Sequence, residues 1–176
     1  MSRPYPQISP FALARGEAPA GGGGGGGSLT IMHVRHELAN GNQGGSTATT
    51  TWNLRALNVV KVNEIAGASL ASNQITLAAG TYDIEAWSYV FESNHTKLRL
   101  RDTTGNATLV VGINNFASQP DNANINCHLR GRFTLSVESV LELQHWTDLG
   151  LANVGFGIAT GDAEVEVYAD VLISEA

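Results

Sequence analysis

At 176 residues the chain is sized for one domain with a short appendage. A domain of about 150 residues buries roughly 68–70% of its unfolded surface, so disulfides are not needed to hold it. Hydrophobic residues make up 43% and charged residues only 15%, and the net charge is −6, which argues against a surface for nucleic-acid phosphates. The first 28 residues carry Arg3, Arg15 and Glu17, a net +1, which leaves −7 on the remainder.

The single cysteine, Cys127, excludes an internal disulfide and a multi-cysteine zinc site. Its place in an alternating apolar run predicts a buried, inert thiol. No segment approaches the roughly 20 apolar residues of a helical membrane span. The opening Met1-Ser-Arg-Pro-Tyr-Pro lacks the apolar stretch of a secretory signal, so synthesis in a cytoplasm without membrane insertion is expected.

Residues 1–20 hold Pro4, Pro6, Pro10 and Pro19, a density that blocks helix and central strand and favours extended chain. Tyr5, Ile8, Phe11 and Leu13 make this stretch more apolar than a spacer needs. It reads either as a disordered tail or as an arm that docks in extended form on a partner. Gly21 to Gly27 then run unbroken up to Ser28, and residues 21–28 read as a flexible linker. As a coil the glycine run spans roughly 15 Å. A swivel placed there suits an arm that is held and a head, residues 29–176, that reorients.

From Leu29 the hydrophobic period becomes two. Strands are predicted at 30–38, 57–64 and 70–78, and a longer one at 81–92. In that longer strand Tyr82, Ile84, Ala86 and Val90 point inward, and Asp83, Glu85, Trp87, Tyr89 and Phe91 point outward. Further strands are predicted at 96–102 and 107–113. Residues 125–137 alternate throughout, with Ile125, Cys127, Leu129, Phe133, Leu135 and Val137 inward and His128, Arg130 and Arg132 outward. Gly131 falls on the inward side, where a bend or a close neighbour would explain it. A strand at 139–147 follows. The last alternates Val165, Val167, Ala169, Val171 and Ile173 inward against Glu164, Glu166, Tyr168 and Asp170. Turn chemistry separates these runs at 79–80, 104–106, 119–122 and 160–162. With no convincing amphipathic helix, roughly nine strands predict an all-β sandwich or jelly roll of about 8–10 antiparallel strands.

The runs SNQITLAAGTYDIEAWS, LRLRDTTGNATLVVG, GRFTLSVESVLELQHW and GFGIATGDAEVEVYADVLI carry a family resemblance. Over about residues 50–174 the chain resembles the C-terminal domain of phage tail-fibre and head-fibre proteins. That domain is similar in architecture to the trimeric jelly-roll heads of complement and tumour-necrosis-factor proteins. The resemblance implies a homotrimer at a virion surface, carried by the arm on a capsid or tail protein. It departs from the family in having no long shaft, as though the head were pinned directly to the particle. It also implies that the strand at 81–92 lies between the strand at 125–137 and the C-terminal one.

In that topology the arginines face Asp83 and Glu85 on one side, and Glu164, Glu166 and Asp170 lie on the other. Trp87, Tyr89 and Phe91 would then form an aromatic subunit contact, and Asp83, Glu85, Arg130, Arg132 and Glu166 a salt-bridged one. A loop covering the aromatics, with solvated charges, is the competing reading.

Chemistry for catalysis is not apparent. His33 and His36 are three apart on a strand and so face opposite ways, while His145 falls on the inward side. His95 reads as a turn residue, and a histidine cluster across a threefold axis stays open. No nucleophile elbow occurs, and Gly155-Phe-Gly157 precedes a strand, unlike a phosphate loop. No enzyme activity, cofactor or metal is expected. Asn94-His-Thr and Asn106-Ala-Thr match glycosylation sequons by accident in this reading. A head that binds host surface polysaccharide is the alternative function, with Trp52, Trp146, Tyr168 and the loops at 40–50, 114–124 and 148–155 as candidates. A polysaccharide-degrading spike is the least supported, because the chain is too short for a β-helical body.

Overall fold

A computed structural model describes residues 29–120 and 122–176. The arm at 1–20, with Tyr5, Ile8, Phe11 and Leu13, and the linker at 21–28 lie outside the described residues. Within them no helix forms, and twelve strands appear where alternation predicts about nine.

Two antiparallel sheets face each other. The first has the order β10 (Asn124–Leu135), β6 (Gly80–Phe91), β12 (Glu166–Glu175), β1 (Ile31–Leu38), β3 (Val59–Asn63). The second runs β4 (Ser69–Ala71), β5 (Gln74–Leu77), β11 (Ser139–Thr147), β7 (Asn94–Asp102), β8 (Ala107–Val111), with β2 (Thr51–Leu54) on β11 and β9 (Asn115–Ala117) on β7. The long strand β6 therefore lies between β10 and β12, as the resemblance implies.

The core lies between the sheets and is built from inward rows. Met32, Val34, Ile84, Ala86, Leu129, Val171 and Ile173 of the first sheet meet Ile75, Leu77, Leu98, Leu100, Leu141 and Leu143 of the second. Each fully buried aliphatic side chain contributes about 1.5–3 kcal/mol of transfer free energy. Gly131 faces Val110 of β8 across this core, and a Cβ there would come within 2.8 Å of its Cγ1. Close approach, not a bend, explains the glycine.

Several boundaries differ from expectation for local reasons. The strand expected at 70–78 splits into a hairpin, because Ser72 and Asn73 both take left-handed φ values of 51° and 66°. Paired positive φ is the geometry of a two-residue hairpin turn. Strand β10 stops at Leu135, so Val137 turns out to solvent instead of inward. His95 is a strand residue of β7, not a turn residue.

The most consequential difference is a β-bulge in β12. His36 of β1 pairs with Ala169 and Glu37 with Val167, so Tyr168 is the extra residue. A bulge reverses the alternation on one side of it. Ala169, Val171 and Ile173 point inward as expected, but before the bulge Glu166 and Tyr168 are buried and Val165 is exposed.

Candidate functional site

The outward face of the first sheet gathers most of the residues expected at a subunit contact. Strand register fixes who sits beside whom. Arg132 lies opposite Asp83, Arg130 opposite Glu85, and His128 opposite Trp87; on the other flank Asp170 pairs with Trp87 and Leu172 with Glu85.

Arg132 grips Asp83 with a two-pronged contact, Nε to Oδ1 at 2.9 Å and Nη2 to Oδ2 at 2.6 Å. This hydrogen bonding holds the Asp83 carboxyl below its ordinary range. His128 Nε2 sits 3.2 Å from a Glu85 carboxylate oxygen, and its ring stacks on Trp87. Asp170 joins two neighbours on β1, Arg35 at 2.5 Å and His33 at 2.9 Å. Glu37 adds Arg35 and Lys61 to the same belt. The charged groups of this face are thus largely paired within one chain, with Arg130 left outside the ion pairs among the described residues.

Trp87 and Tyr89 are about 40% exposed, and Leu172 beside them is equally open. These are large apolar groups on a sheet face, which in a monomer would meet water. Phe91 does not join them. It is buried, because the segment at 155–157 folds over the end of β6, and its N–H donates to the Gly155 carbonyl. Covering by a loop is therefore correct for one of the three aromatics.

Glu166 also leaves the expected set. The bulge turns its carboxylate under the loops, where it accepts backbone N–H groups from Gly41 at 3.0 Å and from Thr160 and Gly161 at 2.9 Å each. These bonds hold its carboxyl below the ordinary value. Glu164 sits before the strand and is exposed, so neither residue faces Asp83 or Glu85. The acidic half of the expected salt-bridged contact reduces to Asp83, Glu85 and Asp170.

The second sheet brings Trp52 and Trp146 together, which their separation in sequence did not predict. They are register partners on β2 and β11, with ring centres 5.7 Å apart at 66°. Between them, His95, Thr96, Lys97, Asn114 and Asn115 lies an open cleft of about 480 Å³. Asp148 fixes two of its walls, accepting from the Trp146 indole N–H at 3.1 Å and contacting His95 Nδ1 at 2.6 Å. The indole first, then the imidazole, draws the Asp148 carboxyl below its usual range.

Beneath the loops lies a buried polar cluster that alternation alone does not show. Arg55 is fully buried, donates to the Tyr168 carbonyl at 2.8 Å and stacks 4.0 Å from the Phe156 ring centre. Its Nε and Nη1 find no partner among the described residues. Burial lowers its pKa to about 9, and burial together with Arg55 lowers that of His36 to about 4. His145 is buried and neutral, bonded to Ser88 Oγ at 3.1 Å and Thr96 Oγ1 at 2.6 Å. The only sequence signal for Arg55 is its two-residue offset from buried Leu57.

Among the described residues no group of three or more His, Cys, Asp or Glu side chains is arranged to hold a metal ion. No protein-family model matches the sequence, and no curated protein matches it. Solved structures do resemble the fold. Murine APRIL superposes with a TM-score of 0.56 at 9% identity, over 85% of this chain and all of that one. The PRD1 vertex protein P5 gives 0.52 at 17% identity, over 85% and 99% of the two chains. The globular domain of zebrafish complement 1qA protein gives 0.51 at 12% identity, over 84% and 97%. At such identities the likeness is one of fold: this chain is an all-β jelly roll of the kind seen in those structures.

Proposed function

We propose that this chain is a virion-surface structural protein, a homotrimeric jelly-roll head made in the host cytoplasm and tethered to a capsid or tail protein. The observation that carries the trimer is the outward face of the first sheet. Trp87, Tyr89 and Leu172 stand exposed on it, beside charges already neutralised in pairs, so a second copy can cover the aromatics without burying many lone ions. Arg130 is the unpaired cation available to a neighbouring subunit's acid. The virion setting rests on the phage-fibre resemblance of the sequence and the shared fold of the PRD1 vertex protein. The tether is assigned to Tyr5, Ile8, Phe11 and Leu13, apolar groups in a proline-rich stretch ahead of seven consecutive glycines.

Two experiments test this reading. Replacing Arg130 and Arg132 together by Glu is expected to dissociate the trimer, and an unchanged mass would remove this face from the contact. Deleting residues 1–20 is expected to abolish attachment to the particle; retained attachment would refute the arm's role.

A second reading, a head that recognises host surface glycan, is favoured by the Trp52–Trp146 cleft. The two are compatible, since the cleft lies on the sheet opposite the proposed contact face.

A further inference from the structure

The charge distribution around the Trp52–Trp146 cleft is unlike that of the rest of the head. Residues 29–176 carry a net −7, yet the outward column of β7 is Lys97, Arg99 and Arg101, three cations at alternate positions. On the first sheet Arg35, Lys61 and Arg132 each have a carboxylate partner. Among the described residues no carboxylate comes within ion-pairing distance of Lys97, Arg99 or Arg101. Like charges held side by side on one strand repel each other. Burial and then the neighbouring Arg101 lower the pKa of Arg99, against an opposing pull from Glu142, which lies opposite Arg101 beyond ion-pairing distance.

The column runs into the aromatic corner. The Arg99 guanidinium lies over the Trp52 ring, 4.1 Å from its centre, and its Nε donates to Gln144 at 2.8 Å. Its two Nη groups have no protein partner among the described residues. Lys97 lines the cleft itself. Asp148 locks Trp146 and His95, and Asn115 is held by its bond to the Asn126 carbonyl at 2.9 Å, so these walls are set before any ligand arrives. The volume falls within the roughly 300–1,000 Å³ of small-ligand sites.

We propose that this cleft binds an acidic saccharide, a hexuronate-type sugar whose carboxylate meets Lys97 and Arg99 while its ring packs in the Trp52–Trp146 corner. A pyranose has an apolar C–H face and a rim of hydroxyls. The Trp146 indole suits the first; His95 and Asn114 suit the second. The unpaired cations suit the carboxylate, which an Arg fork takes with defined geometry. The assignment rests on the glycan-recognition reading and adds the charge class to it. Nucleic acid binding instead uses successive aromatic platforms along a basic groove, whereas this cleft offers a single indole corner.

The test uses the full chain and three fluorescent probes of equal length: a hexuronate oligosaccharide, a neutral hexose oligosaccharide, and oligo(dT), each read by polarisation. The hexuronate is expected to bind and the other two to bind at least about tenfold more weakly. Lys97→Glu and Arg99→Gln are each expected to weaken hexuronate binding about tenfold, with the fold and the assembly mass unchanged. Trp146→Ala, Trp52 being already occupied by Arg99, is expected to weaken it similarly. Salt at about 0.5 M should reduce binding further. Equal binding of hexuronate and neutral hexose, both lost in Trp146→Ala, would overturn the acidic class while leaving glycan recognition standing. Binding of neither saccharide would overturn both. Preferential binding of oligo(dT), or hexuronate binding indifferent to Lys97→Glu and Arg99→Gln, would also overturn the proposal.

Discussion

The Trp87 indole lies nearly flat on the His128 imidazole across the β6–β10 pair, ring centres 3.9 Å apart and planes 19° from parallel. Glu85 holds the far side of the imidazole through Nε2. The indole is therefore fixed in place on one side and open to solvent on the other, as the proposed subunit contact requires. Trp87→Ala is expected to weaken trimer association by about 2 kcal/mol or more, as buried interface tryptophans do. Sedimentation across a dilution series measures this; an unchanged midpoint would place Trp87 outside the contact.

Glu166 ties Gly41 to Thr160 and Gly161 through one carboxylate. Glu166→Ala leaves those three N–H groups without their acceptor. Amide hydrogen exchange at these positions is expected to accelerate about tenfold or more, with the core strands unaffected. Exchange rates equal to those of the parent chain would show that the loops are held by other contacts.

Arg55 is a buried cation with carbonyl and ring partners but no carboxylate. Truncation to Ala removes the donor from the Tyr168 and Phe156 carbonyls and leaves a cavity. A loss of about 3 kcal/mol or more is expected in urea unfolding. Arg55→Met keeps much of the volume and removes the charge, and should cost less than Ala. The reverse order would contradict this account of the cluster.

Burial keeps His36 neutral in the folded chain down to about pH 4, against an ordinary value of 6.5, and His145 is depressed in the same direction. The unfolded chain therefore binds more protons below pH 6.5. Stability is fully present above that pH and falls with acidification, down to about pH 4 for His36. Each histidine contributes a slope of about 1.4 kcal/mol per pH unit within its window. Urea midpoints measured from pH 7.5 to 5 are expected to decline below 6.5, and a flat profile would contradict the buried neutral assignment.

Cys127 is buried, and burial pushes its thiol up to about 11. A thiol reagent at pH 8 is expected to leave it unmodified in the folded chain and to react fully in denaturant. Rapid labelling without denaturant would show that β10 opens locally.

Much of the first sheet was legible because its long strands keep period two. Alternation in β6 and β10 places Tyr82, Ile84, Leu129 and Phe133 inward, and the pairing of Arg132 with Asp83 follows once the strand order is known. The failures share a physical cause, since alternation describes a strand and not what interrupts or covers it. The extra residue Tyr168 reverses the pattern before it and buries Glu166, while the segment at 155–157 hides Phe91. The cleft was half legible. Trp52 and Trp146 stood out as residues, but β2 is only four residues long, too short to show a period. Its pairing with β11, which brings the indoles together, is a tertiary fact.

The most direct test of the central claim is the mass of the full chain at micromolar concentration by analytical ultracentrifugation. The account predicts a species of three times the 18.6 kDa chain, converted to single chains by the paired Arg130→Glu and Arg132→Glu substitutions. A parent chain that sediments at 18.6 kDa would contradict it.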